Sequence, residues 1–398
     1  MLKQIDVADL RPGMFVVDGN AVASKDPGLY RGDEGIVGEE MVQHLKELGY
    51  KTFFIDLSRS ESSAFTSEMT RAGDLEQSRP AGTVEFGVSM EEEIPAALKL
   101  HDQCVAYSRM FMNDIREGKL DLSPAREILE GFLDSMERNA DTLLTLSRLR
   151  QIDKYLYRHS VNVCILSMHC ARNDGKSREE IILAGFAGLF HDLGKALVPP
   201  YILNAPRELT AEEFAIMKKH PRLGFDRLFP MPDMNPDVLN AVLHHHERHN
   251  GSGYPDGLAG DEISELSRTV ALSDIYDALS SRRPYKGAMF PHKTLGIMYS
   301  MQNKELRYED VALFIRMLGI YPVGSIVLLQ SGHVGVVSAS NSEQASKPVV
   351  TLVRDPEGRE IPHRVEDLAA GSRFAIAKCL PTEATGIHPD KVLGLPVF

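Results

Sequence analysis

Five histidines and two aspartates, spread over five segments that each carry the apolar spacing of a helix, constrain this chain more than any other feature. In DKYLYRHSVNVCILSMHC, Leu156, His159, Val163, Leu166 and Cys170 recur on one helical face, so His159 lies on the apolar stripe. In SREEIILAGFAGLFHDLG, a Ser177–Glu180 capping box starts a helix, Ala184, Ala187 and Gly188 lead to His191, and Gly194 is placed to end it. TAEEFAIMKKHP has a second box, Thr210 with Glu213, and is expected to end at His220 beside Pro221. In NPDVLNAVLHHHE, Asn235 caps, Pro236 starts, and Val238, Val242, His245 and His246 share a face from which His244 is turned away. RTVALSDIYDALSS sets Asp274 in an apolar helix with Asp277 one turn on, and a buried carboxylate of this kind needs a partner.

A single histidine on an apolar face is most often a hydrogen-bonded core residue. His101, His169, His292, His333, His363 and His388 are read in that way. The inward set differs, because five imidazoles and two carboxylates converging from separate helices repel or pay desolvation unless a cation gathers them. Imidazole and carboxylate without thiolate suit iron, manganese, zinc or cobalt. Cys104, Cys164, Cys170 and Cys379 show no C-x-x-C spacing, so neither a thiolate site nor a disulfide framework is expected.

Around this centre the chain divides by period and composition. Residues 1–60 mix β-like runs (GMFVV, KTFFIDL) with a helix-like EEMVQHLKELGY ending at Gly49, a small α/β module. Residues 61–95 are polar and aperiodic, as a linker or mobile arm would be. Residues 96–147 turn helical, with Ser123-Pro124 as cap and first helical position and Leu143, Leu146 and Leu149 on one stripe. The helical region 148–322 carries the histidines, and after it 323–398 alternate as strands, with DPEGRE as a turn. The expected fold is mainly α, flanked by the α/β module and a small C-terminal β domain.

A net charge of −12 opposes binding to long nucleic acid, which needs a positive surface. The longest apolar stretch, Ile181 to Phe190, is too short to span a bilayer, and a cytoplasmic location is expected.

HDLGK, KHPRLG, HHERHNGSGYPDGL, SDIYDAL and SRRPYK occur together and in order, and from about Arg148 to Tyr321 the chain resembles the HD-GYP family. That is a branch of the HD superfamily of metal-dependent phosphohydrolases whose members typically hydrolyse cyclic di-GMP. LRPGMFV and LGYKTFFIDL also look like the uncharacterised domain that often precedes it. The resemblance implies an HD-type helical catalytic domain with two divalent ions, iron or manganese first. His159, His191, Asp192 and Asp274 would hold one ion, and His220, His245 and His246 the other, with Asp192 bridging.

It further implies that water activated between the ions opens the cyclic dinucleotide to linear pGpG, with GMP as a possible further product. Lys195, one turn from His191, would neutralise phosphate charge or aid the leaving oxygen. Arg283 and Lys286 would bind phosphates and Tyr254 the substrate, while Gly251 and Gly253 shape the rim. Glu247, Asp277 and Tyr155 are candidates for supporting contacts. Two positions depart from the family pattern: Asn250-Gly251 replaces an acidic-Gly pair, and Tyr155 stands where members with three metals carry glutamate.

Three other functions share parts of this pattern: phosphohydrolysis of another nucleotide, a weakly catalytic sensor of cyclic dinucleotides, and a scaffold. Signalling-protein partners or a homo-oligomer through the flanking domains are expected beside the cyclic di-GMP substrate.

Overall fold

The computed structural model describes residues 2–16, 37–47, 52–56, 60, 87–117, 121–149, 155–231, 233–281, 289–341, 344–370 and 374–395. Gly49, Tyr285 and the candidate phosphate binders Arg283 and Lys286 lie outside them, as does the Tyr155 side chain. The fold is mainly α, with strands at either end of the chain.

The N-terminal module pairs β1 (Leu2–Asp6) antiparallel with β2 (Thr52–Asp56), placing Leu2 opposite Asp56 and Asp6 opposite Thr52. Val16 bridges to Ile55, and α1 (Glu39–Glu47) buries Val42 and Leu45. Strand β1 was not expected, since its five residues LKQID are too polar to stand out as strand-like.

The first long helix, α2 (Met90–Glu117), begins inside the stretch read as a linker. Ser89 and Glu92 make reciprocal capping contacts: the Ser89 N–H donates to Glu92 Oε2 at 2.9 Å and the Glu92 N–H to Ser89 Oγ at 3.3 Å. One position on, the buried Glu93 carboxylate accepts from Ser135 Oγ (2.7 Å) and from the Arg138 guanidinium (2.7 and 2.8 Å), which fastens α2 to the next helix. That helix, α3 (Ser123–Arg138), starts one residue earlier than a Ser123 cap would place it, and Asp121 accepts the Ser123 N–H at 3.0 Å. It is followed by α4 (Ala140–Leu149).

The central bundle consists of α5 (Tyr155–Asn173), α6 (Arg178–Phe190), α7 (Ala211–Met217), α8 (His220–Leu228), α9 (Pro236–His244), α10 (Glu265–Ser280), α11 (Pro291–Met301) and α12 (Tyr308–Leu318). Both expected capping boxes are present, Ser177 with Glu180 and Thr210 with Glu213, and Asn235 caps α9 ahead of Pro236. Helix α5 packs against α6 and α10, and α9 against α6 and α10, so the four histidine- and aspartate-bearing faces meet inside. Phe132, Phe190, Tyr276 and Phe314 fill the surrounding core, which is continuous from Ile5 to Leu395.

At the C-terminus five antiparallel strands run in the order β6-β5-β4-β3-β7: β3 (Ile326–Leu329), β4 (Val334–Ala339), β5 (Val349–Arg354), β6 (Glu360–Asp367) and β7 (Ile376–Leu380). DPEGRE forms the β5–β6 turn, where Asp355 Oδ1 accepts the Glu357 and Arg359 N–H groups at 3.1 and 2.9 Å. The sheet is tied to α4 through Asp141, whose carboxylate accepts both the N–H (3.2 Å) and the hydroxyl (2.8 Å) of Ser340.

Of the histidines read as core, His101, His169 and His292 are buried. His363 and His388 are exposed, and His333 is half-buried against Phe374. His363 lies on the outermost strand β6, where residues facing either side of the pleat reach water, so an apolar neighbourhood in sequence does not bury it.

Candidate metal centre

The candidate ligands arrive from six places. His159 stands on α5, His191 just past the end of α6, Asp192 at the start of a 3-10 turn (Leu193–Leu197), His220 at the start of α8, His245 and His246 just past α9, and Asp274 in α10. All are buried except His246, which is half-buried. Their ligand atoms form two groups within each of which every atom lies within 4.8 Å of the others: His159, His191 and Asp192, and Asp192, His220, His245 and His246.

Asp192 belongs to both. Its Oδ2 lies 3.3 Å from His191 Nε2 and 3.5 Å from His159 Nε2, while its Oδ1 lies 3.2 Å from His220 Nε2 and 3.9 Å from His245 Nε2. Each carboxylate oxygen thus faces one group. Asp274 falls outside both tight groups but touches each, with Oδ1 3.1 Å from His159 Nε2 and Oδ2 3.8 Å from His246 Nδ1.

Three histidines are turned by the same local device. The Nδ1 of His191, His220 and His245 each meets the carbonyl oxygen three residues back, Gly188, Met217 and Val242, at 2.8 Å. A carbonyl only accepts, so Nδ1 carries the proton and Nε2 presents its lone pair inward, the tautomer a metal requires. His159 is oriented by a carboxylate: Asp277 Oδ2 lies 2.7 Å from its Nδ1. Asp277 is itself held by Asn162 Nδ2 (2.7 Å) and Ser281 Oγ (2.9 Å) at Oδ1.

The electrostatics favour a cation. Burial opposes ionisation of Asp192, but His191, Lys195 and His220 outweigh it and hold the carboxyl well below the usual range. Asp274 is lowered in the same way by His159 and its neighbours against the opposing effect of burial. Burial, reinforced by neighbouring imidazoles, pushes His245 and His246 well below 6.5, and burial lowers His220. These groups present neutral imidazoles and ionised carboxylates. Burial also disfavours charge on His159, yet its bonds to Asp274 and Asp277 raise it to about 9. The buried His191 Nε2 has no hydrogen-bond partner, an orphan that a metal ion would satisfy. The residues therefore fit divalent ions.

Two expected helix ends fall elsewhere. Helix α7 stops at Met217, and His220 opens α8 rather than closing α7, because Pro221 is compatible with the first turn of a helix and not with its end. Gly194 does not terminate α6, which stops at Phe190. A Cβ at Gly194 would lie 1.9 Å from the His220 carbonyl oxygen, so the glycine lets the turn after Asp192 press against α8 and brings His220 to the carboxylate.

Lys195 Nζ lies 2.5 Å from Asp192 Oδ2, at the edge of the centre. The Tyr254 ring packs on that of His246, centroids 4.7 Å apart. Its loop is held by Glu247, whose Oε1 accepts the N–H groups of Asp256 (2.8 Å) and Gly257 (3.0 Å). Glu247 supports the loop through the backbone, and among the described residues its side chain makes no hydrogen bond to a candidate ligand. A Cβ at Gly253 would lie 2.4 Å from the Glu247 Cα, so this loop closes on the helix end only with glycine there. His244 turns from the centre and pairs with Asp256 at 3.0 Å. The carbonyls that orient three histidines, the Asn162 and Ser281 contacts and the Glu247 clasp were not foreseen. Only the i−3 relation of each carbonyl to its histidine was open to sequence reasoning.

Residues 141–310 match the HD domain family and residues 2–123 match a domain of unknown function (DUF3391). Over 387 residues the chain is 35% identical to a cyclic di-GMP phosphodiesterase of Pseudomonas aeruginosa, covering 96% of this chain and 93% of that one. The chain belongs to the HD-GYP family. Two further HD-GYP relatives are a cyclic di-GMP phosphodiesterase response regulator of Xanthomonas campestris, 35% identical over 189 residues, and a cyclic di-GMP phosphodiesterase of Thermotoga maritima, 34% identical over 197. The matches cover 46% and 48% of this chain and 49% and 52% of those relatives. His191-Asp192 and Gly253-Tyr254-Pro255 supply the two signatures in the HD-GYP name, and Tyr254 sets the second directly against His246 of the group that Asp192 forms with His220 and His245.

Proposed function

We propose that this chain is a metal-dependent phosphodiesterase that hydrolyses cyclic di-GMP to linear pGpG. The observation that carries the reading is the placement of Asp192, one oxygen toward His159 and His191 and the other toward His220 and His245. The near full-length relation to a cyclic di-GMP phosphodiesterase supports the choice of substrate.

In this reading His159, His191, Asp192 and Asp274 hold one divalent ion and His220, His245 and His246, with Asp192, the second, iron or manganese being favoured. Such ions, when bound, supply an activated water and neutralise charge on the phosphate. The chain's residues do the rest. The carbonyls of Gly188, Met217 and Val242 keep the imidazoles from rotating. Asp277 and Asn162 fix His159. Lys195 offers an ammonium beside Asp192, where it can bind a phosphoryl oxygen and stabilise charge on the departing one. Arg283 and Lys286 are proposed phosphate contacts and Tyr254 a wall of the pocket. Residues 148–322 form the catalytic domain in this scheme, with 1–60 as a regulatory module in the cytoplasm.

The test is product analysis. Metal-loaded protein is incubated separately with cyclic di-GMP and with 3′3′-cGAMP, and the products are separated by ion-pair chromatography. Accumulation of pGpG from the first is the expected result, and no turnover of cyclic di-GMP would refute the assignment.

A further inference from the structure

Beyond the ligand set, a path of rings and charge leads from the centre to the surface. The Tyr254 ring packs against His246 with centroids 4.7 Å apart. Lys218 Nζ stands 5.5 Å from the Tyr254 centroid and 4.9 Å from that of Phe214. Phe214 and Lys218 are four residues apart at the end of α7, so one helical face presents both. Phe214 is 45% exposed, on a helix that buries none of its residues.

Lys218 is in a chain with 56 acidic against 44 basic residues, yet among the described residues it makes no ion pair. The acid nearest in sequence, Glu213, is engaged by the Arg207 guanidinium at 2.6 and 2.8 Å and closes the capping box at Thr210. The helix that carries Phe214 and Lys218 is thereby anchored, while the ammonium lies over aromatic faces that attract it but bring no counter-charge.

We propose that Phe214, Lys218 and Tyr254 form an outer subsite for the nucleotide half of the substrate away from the scissile phosphate. Lys218 takes the second phosphate and Phe214 stacks on a purine. The subsite rests on the cyclic dinucleotide reading above. A cyclic dinucleotide brings two phosphates, and the ligand set beside Asp192 serves the one being cut. The other needs a cation at the rim, and among the described residues, which exclude the proposed phosphate contacts Arg283 and Lys286, Lys218 is an ammonium without an ion pair one ring away from His246. A purine gives Phe214 a partner for its exposed face, since every base offers a π-face to an aromatic ring.

The experiment uses full-length, metal-loaded protein carrying Lys218→Met, Lys218→Arg or Phe214→Ala. Affinity for cyclic di-GMP is read by calorimetry, kcat and KM are measured with cyclic di-GMP, and hydrolysis of bis(p-nitrophenyl) phosphate is followed in parallel. That diester has one phosphate and no purine. Lys218→Met and Phe214→Ala should each raise Kd and KM roughly tenfold, leave kcat within about twofold, and leave the aryl diester unaffected. Lys218→Arg should recover most of the loss. Unchanged Kd in Lys218→Met and Phe214→Ala, with wild type active, overturns the subsite and leaves the activity intact. Equal losses on both substrates overturn it as well, since they mean distortion of the centre. Wild-type protein that neither binds nor cleaves cyclic di-GMP brings down the activity and this subsite together.

Discussion

His159 Nδ1 and Asp277 Oδ2 are 2.7 Å apart in the buried centre, and the second oxygen of Asp277 is taken by Asn162 and Ser281. The carboxylate therefore cannot turn away from the imidazole without leaving two donors unpaired. This fixes which nitrogen of His159 faces Asp192 and Asp274.

Asp277→Asn should keep the fold but weaken metal binding about 10–100-fold, the usual cost of removing a carboxylate behind a ligand histidine. Titration of metal-free protein with manganese, read by calorimetry, measures this. Wild-type affinity in the variant would show that Asn162 and Ser281 alone suffice to hold His159.

Gly194→Ala places a methyl carbon against the His220 carbonyl, and backbone rather than a flexible side chain must give way. A loss of about 1–3 kcal/mol in stability is expected from overpacking, together with reduced metal content as His220 is pushed off Asp192. Thermal unfolding with elemental analysis tests both, and an unchanged metal content would separate this contact from the site.

Burial pushes His169 down to about 3 and His292 down to about 4, helped by Arg172 and by Lys293 respectively. Both are neutral when folded but take up protons when unfolded below about 6.5. Their stabilising contribution is complete above pH 6.5 and is lost as pH falls toward 4, at about 1.4 kcal/mol per pH unit for each group. His220, His245 and His246 act in the same direction in metal-free protein, and His159 in the opposite one. Urea unfolding of metal-free protein at pH 7.0 and 5.5 should show stability falling with pH, with a shallower fall in His292→Gln. A stability independent of pH over this range would contradict the neutral, buried assignment.

Much of the centre was legible because helix periodicity and caps are local. The spacing of His159 with Leu156 and Val163, or of His245 with Val238 and Val242, already directs those side chains inward. What was not legible depends on contacts between segments distant in the chain. The role of Gly194 becomes visible only when α8 is beside it, and the helix boundary at His220 turned on whether Pro221 followed an end or opened a start. Strand β1 depends on pairing with residues fifty positions away. His363 was misplaced because strand residues are buried only where a second layer covers them and β6 is at the edge of its sheet, and His388 because it stands at the exposed start of a single helical turn, Pro389–Val392.

Tyr155 bears on metal count. Its phenol has a reference pKa of about 10, and it shares a helical face with His159, where a glutamate could ligate a third ion. Two ions per chain at full activity are expected, with linear pGpG as the main product. Anomalous scattering at the metal edge from active crystals checks the count, and three fully occupied peaks would contradict it.

One carboxylate serving both ligand groups holds the proposed centre together. Asp192→Asn keeps the size of the side chain and removes its charge, and His363→Ala on the exposed strand is the control. The decisive measurement is bound metal per chain together with the rate of pGpG formation in these two variants and wild type. Asp192→Asn is expected to lose metal from both groups and to slow by about three orders of magnitude, while His363→Ala matches wild type. Full metal content with wild-type turnover in Asp192→Asn would contradict this bridging role.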